Sequence, residues 1–218
     1  GAPRGSRGAR EDDIGGDSVG KANWYDMREF IAHLEKLGEL VRVKDEVDPG
    51  WEINGLTRVG LQSHAPALLF ERIKGADVPM LTNLLGTDRR FLAALGIDKW
   101  SDFNAEWCRR TERLVPPRIV RDAPCQEVVI EGDAIDLHKI CNTVWHQYDG
   151  GEFPGTLSVS ITKDPENGVL NAGIYRMGTL SKNTLGWGAP EYTHGRQHYM
   201  KYERLGQIMP MAVVTGYD

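Results

Sequence analysis

Thr156–Arg176, TLSVSITKDPENGVLNAGIYR, reads as two strands around a turn. Thr156 to Lys163 and Asn171 to Arg176 are β-branched or alternating, and Asp164-Pro165-Glu166-Asn167-Gly168 between them carries Asn-Gly, the strongest short-range hairpin signal. Glu127 to Glu131 and Met211 to Gly216 have the same strand character, and His194 to Leu205 reads as an inserted helix closed by Gly206. These segments predict an antiparallel sheet or barrel. Met211–Gly216 has a buried-strand pattern, and a barrel strand rarely ends a domain uncovered. The sheet is therefore expected to continue beyond Asp218.

Upstream, Pro116-Pro117 marks a linker. Before it, Met27, Phe30, Ile31, Leu34 and Leu37 recur at helical spacing, with Asp26 and Glu29 as a capping box and Gly38 as the stop. Leu40–Lys44, Pro66–Ile73 and Pro79–Leu85 read as strands. Glu52–Leu61, Arg89–Leu95 and Asp102–Leu114 read as helices, the last two with mixed charge on an outer face. Alternating elements predict an α/β domain over 24–118. Residues 1–22 hold almost nothing to bury and read as a disordered tail.

The net charge of −5 over 218 residues, with both signs interspersed, argues against a nucleic-acid or anionic-membrane partner. No apolar run is long enough to span a bilayer and no secretory leader pattern is present, so a cytoplasmic location is expected. Cys108, Cys125 and Cys141 are odd in number and read as reduced thiols. His138, Cys141 and His146 lack zinc-site spacing.

Reactive side chains are densest between Asp149 and Arg196. Asp149-Gly150-Gly151 and Pro154-Gly155-Thr156 are loops in which backbone can approach a ligand. On an extended strand Asn171, Gly173 and Tyr175 share one face and Ala172, Ile174 and Arg176 the other. A bulge at the glycine would let Asn171 and Arg176 converge. Thr193-His194 opens a helix whose free N–H groups favour an anion such as phosphate. Singly, each has a plain reading: a turn neighbour, a solvated arginine, a helix start, core aromatics. Their joint pattern carries the functional reading.

Asp149-Gly150-Gly151, Ile161–Pro165, Asn171–Met177, Lys182-Asn183, His198–Glu203 and Met209–Val214, in that order, resemble the signature of the UbiD decarboxylases. Arg28–Phe30, Gly38–Leu40, Pro66–Glu71 and Asn83–Gly86 extend the likeness upstream. The resemblance implies an α/β N-terminal domain followed over 119–218 by an incomplete split β-barrel of flavin-reductase-like type that binds prenylated FMN, with a C-terminal domain absent. It implies a divalent metal, Mn²⁺ or Mg²⁺, on the cofactor phosphate, with K⁺ nearby. Asn171 and His194 match metal ligands, and a Glu ligand is expected beyond Asp218. Oxygen and nitrogen donors suit such an ion. Ile174, Tyr175 and Arg176 match cofactor-lining positions, joined by Thr193 and His194; Thr156 and Arg176 fall at the substrate. Arg176 matches the catalytic arginine, whose guanidinium can grip a substrate carboxylate at two points.

Gly188-Ala189-Pro190 stands where the ubiquinone-biosynthesis branch has Arg-Trp-Leu, which turns the expectation to another aromatic, heteroaromatic or α,β-unsaturated acid. A flavin prenyltransferase is implied as cofactor supplier, and a homo-oligomer at full length. The alternatives are a flavin-binding or carrier protein on the same barrel, and a catalytically incomplete fragment.

Overall fold

The computed structural model describes Trp24 and residues 26–112, 115–140, 142–154 and 157–217. The expectations for the 1–22 tail, Cys141, Thr156 and a helix end at Leu114 lie outside these residues.

Helix α1 (Met27–Lys36) starts where the Asp26 carboxylate accepts the Glu29 N–H at 3.0 Å, and Gly38, at φ 70°, turns the chain out of it. Strand β1 (Leu40–Val47), helix α2 (Glu52–Gln62) and strand β2 (Ala67–Ile73) form a parallel crossover unit. Parallel strands cannot be joined by a tight turn, so a helix fills the connection. Strand β3 (Met80–Thr82) then adds antiparallel to β2, which is central. Apolar side chains of β2 fill both faces: Ala67 and Leu69 pack with Phe30, Leu34, Leu40 and Ala93, while Phe70 and Ile73 pack with Val47 and Ile53. Helices α3 (Asp88–Leu95) and α4 (Phe103–Glu112) follow, the second entered through a 3₁₀ turn at Trp100–Asp102.

Arg90 corrects the expectation that α3 is charged only on an outer face. Its side chain is fully buried. The guanidinium donates to Glu39 Oε2 at 2.9 Å and to the carbonyls of Ala65 (3.1 Å) and Leu84 (3.1 Å). Glu39 also takes Arg89 at 3.0 Å, so one carboxylate joins α3 to the turn between α1 and β1.

Past Pro117 the chain runs through 3₁₀ turns at Pro124–Gln126, Gly132–Ala134 and Leu137–Lys139. Glu127–Glu131, expected as a strand, is not one; Val128, Val129 and Ile130 are exposed, and no strand among the described residues supplies a ladder. The next elements are β4 (Val159–Lys163), β5 (Leu170–Ile174), β6 (Met177–Ser181), β7 (Thr184–Trp187), α5 (His194–Arg204) and β8 (Met211–Val214). β4 lies between β5 and β8, antiparallel to both, and β6–β7 is a separate hairpin that the sequence reading did not anticipate. The described residues thus hold small sheets in an α/β arrangement.

The β5-β4-β8 sheet is buried on its polar side. Ser160 and Thr162, with Ser158 just ahead of β4, are buried on the face that α5 covers. Val159, Ile161, Ala172, Ile174, Ala212 and Val214 share the other face, which is half-buried to exposed throughout.

Removing one partner of a buried ion pair leaves the other without its counter-charge, typically at about 3–5 kcal/mol. Arg90→Ala is expected to cost about 3 kcal/mol, the lower end because Arg89 still reaches Glu39. Urea unfolding checks this, and a loss under about 1 kcal/mol would refute the buried pair as a fastening of the first sheet.

Candidate functional site

The hairpin turn and one face of α5 enclose a cleft of about 380 Å³. Asp164 and Asn167 come from the turn and Leu170 and Asn171 from β5; His194, Gln197, His198 and Lys201 come from α5. The helix residues recur at intervals of three and four, so they form one polar stripe. That spacing is a signal in the sequence for Gln197, His198 and Lys201 beside the expected His194.

The turn forms as its residues dictate. Gly168 N–H donates to Asp164 O at 2.9 Å, Asp164 N–H to Val169 O at 2.9 Å, and Gly168 takes φ 78°, which a side chain would oppose. This aims the Asp164 carboxylate at α5, where it is buried. It accepts from Lys201 Nζ at 2.7 Å and from Glu166 N–H at 2.9 Å, with His198 Nε2 at 3.9 Å. The Lys201 ammonium, then the Glu166 N–H, hold Asp164 below the usual carboxylate range; the same contact with Asp164, then Glu166, raises Lys201. On its other edge His198 Nδ1 lies 3.0 Å from Thr162 Oγ1.

Asn171 and His194 line this cleft together. The Asn171 Nδ2 atom is buried without a protein partner, while His194 is exposed. The first turn of α5, however, is not the open anion site expected. Its Gly195 N–H donates to Tyr175 Oη at 3.1 Å, and its Arg196 N–H to Thr193 Oγ1 at 3.4 Å. Thr193 is the N-cap, and its hydroxyl in turn donates to Pro190 O at 2.7 Å. Two of the first-turn N–H groups are thus taken by side chains of the protein.

Tyr175 and Arg176 also differ from expectation. β5 ends at Ile174, and its ladder with β4 runs without a bulge, so Asn171 and Arg176 do not converge through one. Tyr175 is buried and lies edge-on to Trp187, ring centroids 5.3 Å apart. It does not line the cleft. Ile174 is exposed on the open apolar face. Arg176 turns towards Asp149: Nη1 donates to Oδ1 at 3.1 Å and Nη2 donates to Oδ2, with the guanidinium carbon 3.7 Å over the Phe153 ring. That pairing, then the His146 N–H, lowers the Asp149 pKa. Both terminal nitrogens meet its carboxylate, which leaves Nε–H and the outward N–H groups of a side chain that is 39% exposed.

Two family models match the chain. Residues 31–105 match the 3-octaprenyl-4-hydroxybenzoate carboxy-lyase N-terminal domain, and residues 118–218 match the Rift-related domain of the same carboxy-lyase. The chain belongs to the UbiD family. An uncharacterized protein of Aquifex aeolicus is 36% identical over 215 residues, covering 88% of this UbiD chain and 44% of the relative. One of Archaeoglobus fulgidus is 36% identical over 89% of this chain and 44% of its own length. The chain thus spans less than half of the curated relatives it matches. Among solved structures, the closed vanillic acid decarboxylase of Sedimentibacter hydroxybenzoicus superposes with a TM-score of 0.84 at 32% identity, over 90% of this chain and 44% of that one. An evolved dimeric form of the UbiD-class enzyme HmfF from Pelotomaculum thermopropionicum, in complex with prFMN, gives 0.80 at 34%, over 89% and 45%.

The UbiD cofactor and metal can be tested against the cleft. The Asn171 amide oxygen and the His194 imidazole are an oxygen and a nitrogen donor of the kind a hard divalent cation takes, while the Asp164 carboxylate is already engaged by Lys201. Among the described residues no group of three or more His, Cys, Asp and Glu could hold a metal alone. Nor is any helix among them long and apolar enough to cross a membrane.

Asp164 lies below its ordinary 3.8, so its ionised form stabilises the fold; that contribution is complete above about pH 5 and lost as pH falls through the folded value. Lys201 lies above its ordinary 10.5, so its contribution holds at neutral pH and is lost only in strong alkali. Asp164→Asn is therefore expected to lower Tm at neutral pH, with the gap to the parent protein closing below about pH 4. Thermal melts followed by circular dichroism check this, and a gap independent of pH would overturn it.

Proposed function

We propose that this chain is the N-terminal and cofactor-binding portion of a reversible, non-oxidative decarboxylase for an aromatic, heteroaromatic or α,β-unsaturated acid, working with prenylated FMN. The observation that carries it is the meeting of Asn171 and His194 in one cleft. The relative solved with prFMN supports the cofactor, and the vanillic acid decarboxylase supports the reaction class.

In this reading residues 24–118 form the first domain and 119–218 part of a split barrel, whose remaining strands would cover the open face of β4, β5 and β8. Asn171 and His194 hold Mn²⁺ or Mg²⁺ on the cofactor phosphate, K⁺ binds close by, and a carboxylate from outside the described residues completes the set. Thr193 supports the site as the cap of α5, and Ile174 faces the cofactor from the open side of the sheet. Thr156 and Arg176 meet the substrate. When bound, the prenylated flavin supplies an electron sink for the breaking C–C bond.

The protein's own contribution is orientation. The guanidinium of Arg176, over the Phe153 ring and paired with Asp149, offers its remaining N–H groups to the substrate carboxylate. A charge-assisted grip of that kind fixes which carbon lies over the cofactor, and the apolar sheet face excludes water. Full-length protein is expected to be a homo-oligomer supplied by a flavin prenyltransferase.

Mass spectrometry of small molecules released after co-expression with such a prenyltransferase should find prenylated FMN; plain FMN would favour a flavin carrier instead. Asn171→Ala or His194→Ala is expected to lower bound manganese at least tenfold, about the scale for losing support of a metal ligand. In a form spanning the length of the relatives, Arg176→Ala should abolish CO₂ release from aromatic acids while flavin content is kept. Loss of both would sink the assigned role.

A further inference from the structure

Tyr175 is buried, 8% exposed, yet its chemistry is polar and directional. Its Oη accepts the Gly195 N–H at 3.1 Å, inside the protein, at the residue that follows His194. Its ring is slotted between two glycines. A Cβ on Gly173 would come within 2.5 Å of the ring, and one on Gly195 within 2.7 Å of Oη and 3.1 Å of Trp187. Both contacts exist only because these positions lack side chains, and neither glycine has positive φ, so conformation is not what requires them.

Gly173 lies two residues from Asn171 on β5, and Gly195 is next to His194 on α5. A single aromatic side chain therefore connects the two backbones that carry the residues facing each other across the cleft. We propose that Tyr175 is a positioning residue: its phenol locks the first turn of α5 to the end of β5 and so sets where His194 stands relative to Asn171. The assignment rests on the reading of Asn171 and His194 as cation ligands. Tyr175, expected to line the cofactor, has its hydroxyl engaged with Gly195 and its ring packed against Gly173 and Trp187.

Tyr175→Phe keeps the ring and removes the acceptor; Gly195→Ala keeps the acceptor and wedges the contact. Two readouts on a form spanning the length of the relatives separate the lock from the cation site. Without any ligand, amide hydrogen exchange at residues 194–196 is expected to rise about tenfold in Tyr175→Phe, as one buried hydrogen bond is lost. With MnCl₂ and FMN added, electron paramagnetic resonance titration should show Mn²⁺ bound about tenfold more weakly in either variant while Tm stays near that of the parent. Unchanged exchange overturns the lock, and unchanged Mn²⁺ affinity overturns its role in positioning. Weakened binding that only tracks a fall in Tm also overturns that role. If the parent of that length itself binds no Mn²⁺, the cation reading fails, and the exchange measurement still decides whether Tyr175 holds α5.

Discussion

Helix α5 is fixed to its sheet by directional polar contacts, not by an apolar seam. Only Gly195 and His198 are buried along it, and each meets a polar group: the Tyr175 hydroxyl and Thr162. Lys201, one turn further on, closes on Asp164. These three anchors fall three residues apart and so lie along one side of the helix. An apolar stripe tolerates sliding by fractions of an ångström because burial is not directional. A hydrogen bond weakens quickly with angle and length, so three of them specify a position. Stability is not what such contacts mainly add, because each replaces a bond to water. What they supply is a fixed placement of the one helix face that carries His194.

The first part of the chain is built on the opposite principle. There β2 is apolar on both faces and helices cover it, as a parallel pair requires. The exception is Arg90, buried among carbonyls with Glu39 as its counter-ion. It fastens α3 at a point where three backbone connections meet. The two parts are joined by backbone carbonyls: Lys139 O accepts from Asp77 N–H at 2.8 Å, and Val144 O accepts from the Asn54 side chain. A firmly packed first sheet thus gives the looser, turn-rich segment ahead of β4 something to lean on.

What was legible in the sequence follows the range of the forces involved. Asp26 and Gly38 at the ends of α1, and Asn167-Gly168 in the hairpin, act within a few residues, and the structure has each where local chemistry puts it. Glu127–Glu131 had the alternation of a strand, but a strand needs a partner, and partners are set by the whole fold. Arg90 looked like surface charge because nothing nearby in sequence reveals Ala65 O or Glu39 as its acceptors. The N–H groups of the α5 first turn looked free for a phosphate because the phenol that takes one of them comes from a residue 20 positions upstream. Asn171 and His194 were named from the family pattern. Their shared cleft, and the Asp164–Lys201 pair beside them, needed the structure.

Two carboxylate–cation pairs flank this region, and the difference between them is chemical. Lys201 is a point charge with three donors; it spends two contacts of 2.7 Å on Asp164 and Glu166 and is largely covered. Its one remaining N–H has no fixed direction. Arg176 is planar with five donors, and Asp149 engages its two terminal nitrogens from one side while Phe153 holds the plane. A lysine in that place would be neutralised by Asp149 and have no second edge. The arginine is neutralised as well, yet keeps donors in a fixed direction, so the same ion pair that removes its net charge also orients what remains. A guanidinium held in this way meets any further partner through donors of fixed direction more than through long-range attraction.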